Sequence, residues 1–187
     1  GFFYLPRISG RFKNDFINKG QSHILQYNYQ DRLIINMGYS YHYNSIGGAI
    51  INNTIASNSY SIRFNFESAG NIMYALSKAT NIRKNNDGEY AILGIPYAQY
   101  VKGEFDFSKN IRIDHRNSFA FHIGMGIAVP YGNAKTIPFE KQYFSGGANS
   151  VRGWTVRDLG PGSFVRDENT NLLDQSGDIK LDASIEY

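Results

Sequence analysis

Residues 178–187 read DIKLDASIEY, and their parity decides the fold class. Ile179, Leu181, Ala183, Ile185 and Tyr187 take the odd positions; Asp178, Lys180, Asp182, Ser184 and Glu186 take the even ones. Successive side chains of an extended chain point to opposite sides, so ten residues without an exception read as one strand with an apolar face and a charged face.

The pattern recurs along the chain. In SFAFHIGMGIAV, residues 118–129, Phe119, Phe121, Ile123, Met125, Ile127 and Val129 share one face. The other face holds Ser118, Ala120, His122, Gly124, Gly126 and Ala128, small enough for another segment to lie against it. In 97–113, Val101, Gly103, Phe105, Phe107, Ile111 and Ile113 oppose Lys102, Glu104, Asp106, Asn110 and Arg112, and DHRN at 114–117 reads as a tight turn into the next strand. Residues 60–67 and 33–43 alternate too, and 23–30 is expected to pair with 33–43 across a turn at Asp31. Residues 1–12, interrupted by Pro6, and 46–56 are weaker strand candidates. The expectation is about eight antiparallel strands with two long connections, 69–96 and 131–177.

Composition supports strands and narrows the function. The chain of 187 residues is long enough for one sizeable domain, and its 14 Tyr, 13 Phe and 19 Gly against 5 Pro favour strands and turns. A net charge of +3 from scattered basic residues excludes the clustered stripe of a nucleic-acid footprint. With no cysteine there is no disulfide framework and no thiolate metal site. His23, His42, His115 and His122 lie on different elements without metal-ligand spacing, so neither metal nor cofactor is expected. The chain begins without Met and stops inside a strand, as a piece of something larger would.

A soluble sandwich or lipocalin-like barrel also alternates, with its apolar face buried in a core. Here the apolar faces carry Tyr and Phe near strand ends, like interfacial aromatic girdles, while Lys102, Glu104, Asp106, Arg112, Asp182 and Glu186 on the opposite faces suit a watery or loop-filled lumen. No apolar run approaches the ~20 residues of a spanning helix, but spanning strands need only ~9–11. Short turns on one side and long connections on the other complete the pattern of an all-β transmembrane antiparallel barrel.

The longer connection contains QYFSGGANSVRGW, residues 142–154. It matches neither GxxxxGK[ST] nor GxGxxG, so it is no phosphate loop, and Ser150 lacks the GxSxG context of a nucleophile elbow. A solvated surface loop and a plug loop remain. In a plug loop, glycines let the backbone fold tightly against the wall, Arg152 donates to an inward carboxylate such as Glu186 or Asp182, and Trp154 packs as an anchor. Gly124, Gly126 and Ala128 leave room for it.

Residues 137–164, IPFEKQYFSGGANSVRGWTVRDLGPGSF, resemble the signature loop of the BamA/TamA superfamily of outer-membrane insertases and translocases. The resemblance rests on Gly146 and Gly147, on Val151, Arg152, Gly153 and Trp154, and on Leu159, Gly160 and Pro161; DASIEY resembles the strand whose inward glutamate, here Glu186, meets the loop arginine. FESAGN at 66–71 and YNYQDR at 27–32 look most like the TamA-like branch of Bacteroidetes.

The resemblance implies a bacterial outer-membrane location and no enzymatic activity. It implies that 1–187 is a fragment of a C-terminal barrel domain with about eight of sixteen strands, lacking the closing strands and the periplasmic POTRA modules. Implied partners are outer-membrane lipid, nascent outer-membrane or surface proteins as substrates, and periplasmic or inner-membrane accessory subunits, with no nucleic acid. The function implied is assembly, insertion or translocation of β-barrel or surface proteins. The alternatives are a two-partner-secretion pore, which shares the loop motif, and a passive diffusion porin.

Overall fold

The computed structural model describes residues 2–3, 32–45, 58–86, 88–114, 116–148, 150–159 and 176–187. Its main sheet has six strands: β1 (Phe2–Phe3), β2 (Ile34–Asn44), β3 (Asn58–Ala69), β6 (Tyr100–Arg112), β7 (Ser118–Pro130) and β8 (Ile179–Glu186), in the order β1-β2-β3-β6-β7-β8. Between β3 and β6 the chain makes a helix, α1 (Asn71–Ala79), and a separate hairpin of β4 (Ala91–Ile92) and β5 (Ile95–Pro96). Among the described residues no helix is long and apolar enough to cross a membrane, whereas β2, β3, β6 and β7 run 11 to 13 residues, long enough to span as strands.

The parity read from the sequence is the parity of the sheet. β7 and β8 are antiparallel, and their register pairs even with even and odd with odd: His122 with Ser184, Gly124 with Asp182 and Gly126 with Lys180; Ile123 with Ala183, Met125 with Leu181 and Ile127 with Ile179. The odd, apolar face is the exposed one, with Ile179 and Leu181 each 73% exposed and Met125 48%. Gly124 and Gly126 on the even face are buried. A soluble sheet turns its apolar face inward. This sheet turns it outward and covers its polar side, as a barrel wall in lipid must. The turn foreseen at 114–117 is present: Ile113 N–H donates to Asn117 O at 3.0 Å, and the Asp114 carboxylate accepts from Arg116 N–H at 2.7 Å and Asn117 N–H at 2.9 Å. These bonds hold the carboxyl of Asp114 below its ordinary range.

The described neighbours of β2 are β1, through Phe2 with Ile35 and Phe3 with Ile34, and β3. The strand expected at 23–30, the candidate at 46–56 and the residues after Phe3 in 1–12 lie outside the described residues. The connection 69–96 carries more structure than periodicity showed, because a nine-residue helix and a two-residue turn are too short to leave a periodic signal.

The residues fall into two compact units, 1–38 with 67–102 and 128–142, and 39–66 with 103–127 and 143–187. The first has a core of Ile34, Tyr97, Ala98, Tyr100 and Ile137, all at most 3% exposed. Asn133 ties it together: its side-chain amide donates to Tyr90 O and Tyr97 O, each at 2.9 Å. Arg32 and Glu89 form a buried ion pair at 3.3 Å. In the second unit a ladder of polar side chains crosses three strands. Ser40 donates to Asn65 at 2.6 Å, and Asn65 donates to Glu104 at 3.1 Å.

Candidate functional site

The site lies in the second unit, where the loop after β7 folds onto the even face of β7 and β8. The loop first closes a neck. Tyr143 and Gly177 exchange backbone hydrogen bonds at 2.8 Å in each direction, and Arg157 N–H donates to Ser145 O at 2.9 Å. Residues more than thirty apart in sequence are thereby held side by side, so the loop leaves and returns at one point on the wall.

Tyr143 seats it. Its ring lies against Gly126, where an added Cβ would sit 2.6 Å from Tyr143 Cζ, and its hydroxyl donates to Gly103 O at 3.0 Å. Only glycine leaves that space, which gives a physical reason for the small residues on the even face of β7. Gly124 plays a related part: a Cβ there would sit 2.3 Å from Asp182 Oδ1. Asp182 takes Lys180 Nζ at 2.8 Å and lies 3.7 Å from His122 Nδ1, while His122 Nε2 is 3.4 Å from Asp106. A row of ionisable side chains, Lys180, Asp182, His122 and Asp106, thus lines the wall beside the loop.

The tip is a tight turn. Gly146 and Gly147 have φ of 98° and 92°, the left-handed region that side chains disfavour, and a Cβ on Gly146 would meet Thr155 O at 2.2 Å. Gly147 N–H donates to Trp154 O at 2.9 Å, which closes the turn over Val151, Arg152 and Gly153. Arg152 Nη2 then reaches Glu186 Oε1 at 2.9 Å.

The geometry departs from the sequence expectations in two respects, at Asp182 and at Trp154. Asp182, expected as a partner of Arg152, is taken by Lys180 and His122 instead. The pair of Arg152 with Glu186, expected from the resemblance, is present and is 72% and 51% exposed, because Glu186 stands at the end of β8 opposite the small Ala120. Trp154, expected to anchor the loop, is 51% exposed and contributes its backbone carbonyl; the aromatic anchor is Tyr143. Sequence reading missed Tyr143, because its seat forms only when its hydroxyl meets Gly103, 40 positions away. Leu159 bridges to Ser145, and Gly160 and Pro161 lie outside the described residues, as do His23 and His115. Among the described residues no group of three or more His, Cys, Asp and Glu is placed to hold a metal ion.

A glycine-rich loop seated on the polar wall of an inside-out antiparallel sheet agrees with what comparison with known proteins finds. The model of the Omp85 superfamily domain matches residues 15–187, nearly the whole chain. The chain belongs to the Omp85 superfamily. It is also similar to the outer membrane protein assembly factor BamA of Neisseria meningitidis serogroup B, 40% identical over 62 residues. That match covers 33% of this chain and spans 8% of the length of the relative. As an Omp85 protein with an outward apolar face, the chain is part of a β-barrel of the bacterial outer membrane.

Proposed function

We propose that this chain is the loop-bearing part of an outer-membrane barrel that assembles, inserts or exports β-rich outer-membrane or surface proteins. One observation carries the reading: Tyr143 lies against Gly126 and Arg152 meets Glu186 on the polar wall, in a chain of the Omp85 superfamily. The similarity to an assembly factor supports the same function. Substrate strands would pair by β-augmentation at an edge of the barrel, with backbone hydrogen bonds supplying sequence-tolerant affinity. The local likenesses at 66–71 and 27–32 favour a TamA-like, auxiliary role over that of the central insertase, in a longer parent whose further strands complete the wall and which works with accessory subunits. The docked loop orients the wall that carries that edge. Its exposed Arg152–Glu186 contact sets direction more than it supplies stability.

Depletion of the full-length parent followed by quantification of the outer-membrane proteome tests the function. A fall in a subset of β-barrel proteins is the result expected of the auxiliary role. A broad fall would make the parent a general insertase, and loss of a single exported partner would make it a two-partner-secretion pore. An unchanged proteome with altered small-solute uptake would mean a porin and would overturn the proposal.

A further inference from the structure

We infer that Glu67 and Lys141 form a second fastening of the loop, at its stem and outside the glycine-arginine motif, and act as positioning residues for the function proposed above, on which this inference rests. Glu67 lies near the end of β3 and Lys141 in the short 3-10 turn Phe139–Lys141, both in the first unit. Lys141 Nζ is 2.8 Å from Glu67 Oε1 and 3.0 Å from Oε2, so it bridges both oxygens of one carboxylate. The same carboxylate accepts from Asn36 Nδ2 at 2.8 Å and from the hydroxyl of Tyr100, which is fully buried. Lys141 is held at its other end as well, since its backbone carbonyl accepts from Lys102 Nζ at 3.1 Å. Strands β2, β3 and β6 therefore converge on a single loop residue.

The arrangement differs from an ordinary surface ion pair. The two side chains are only 20% and 24% exposed, and the acid has two donors besides the lysine, Asn36 and Tyr100, so its orientation is fixed before the lysine arrives. Lys141 precedes Tyr143, the residue that seats the loop, by two positions in the chain. Fixing Lys141 at both side chain and backbone limits the paths by which Tyr143 can reach its place, which lowers the entropic cost of docking the loop. Among the described residues the contacts that seat the tip begin at Tyr143, beyond Lys141 in the chain.

The test uses the full-length parent, reconstituted in liposomes, with a single cysteine replacing Ala134, which is 6% exposed in the same stem. Two readouts are taken: the rate of labelling by a maleimide-polyethylene glycol, and the rate at which an unfolded outer-membrane β-barrel client inserts. Lys141→Met is expected to raise labelling about tenfold, the effect of losing one charge-assisted hydrogen bond on a local opening, and to slow insertion. Lys141→Arg is expected to keep both near the parent's values. Unchanged labelling in Lys141→Met, or equal effects of Met and Arg, overturns the fastening. Faster labelling with undiminished insertion overturns the positioning role. The unsubstituted parent separates the two ideas: if it does not insert the client faster than protein-free liposomes do, the proposed function fails, while the labelling comparison still decides the fastening. Folding of each variant is checked by heat-modifiable gel migration, and Glu67→Gln replaces Lys141→Met if the latter does not fold.

Discussion

Gly126→Ala probes the seat of the loop most directly. The added methyl would lie 2.6 Å from Tyr143 Cζ and 2.7 Å from Cε1, far inside van der Waals contact. Neither neighbour can yield freely. Gly126 is in the paired register of β7 with β8, opposite Lys180, and Tyr143 is fixed by its backbone pair with Gly177 and by its hydroxyl on Gly103. Forcing a methyl into such a contact costs ~1–3 kcal/mol. The assay is urea unfolding of the full-length barrel in detergent micelles, followed by the heat-modifiable shift on gels, for Gly126→Ala, Tyr143→Leu and the double variant. Tyr143→Leu removes the ring, so Gly126→Ala on that background should cost close to nothing, and the cycle should show a coupling of ~1 kcal/mol or more. Additive effects, with the full cost retained when the tyrosine is absent, would refute the seating of Tyr143 on Gly126.

Arg152→Ala should cost only ~0–1 kcal/mol of barrel stability in the same titration, because both partners are more than half exposed; a loss of ~3–5 kcal/mol would show that the rest of the wall encloses the pair. Glu89→Ala should cost ~3–5 kcal/mol, since it leaves Arg32 charged in a site where the two side chains are 3% and 6% exposed, and Arg32→Met should recover much of the loss. Asp114, with its pKa lowered by three hydrogen bonds at the β6–β7 turn, contributes stability above the ordinary carboxylate pKa of about 3.9 that is lost as pH falls through its lower folded value. Amide exchange of Arg116 and Asn117, corrected for its intrinsic pH dependence, should therefore accelerate in that acidic window. Asp114→Asn should remove the pH dependence, and an unchanged profile would exclude the carboxylate as its source.

Much of the wall was legible one strand at a time. The alternation at 118–129 and 178–187 survives unchanged as the even and odd faces of β7 and β8, because a two-residue period is a local property of extended chain. The strand at 97–113 begins only at Tyr100, since Tyr97 and Ala98 pair with Leu33, Ala98 N–H donating to Leu33 O at 3.0 Å, a long-range contact that no periodicity announces. In the site, the glycine pair and Arg152 could be read because their chemistry is in their own side chains or in their absence. Tyr143, Lys141 and Glu67 could not, because their roles exist only when residues 40 to 74 positions apart meet.

The sequence by itself determined the strands, the inside-out polarity and the glycine-rich stretch 142–154 with its single arginine, since each is written within about a dozen neighbouring residues. Tertiary structure alone decided that Asp182 turns to Lys180 instead of Arg152, that the Arg152–Glu186 pair stays exposed, and that an aromatic ring set into a glycine gap seats the loop. Those outcomes depend on strand register: sliding β8 by two residues along β7 would keep every face and change every partner.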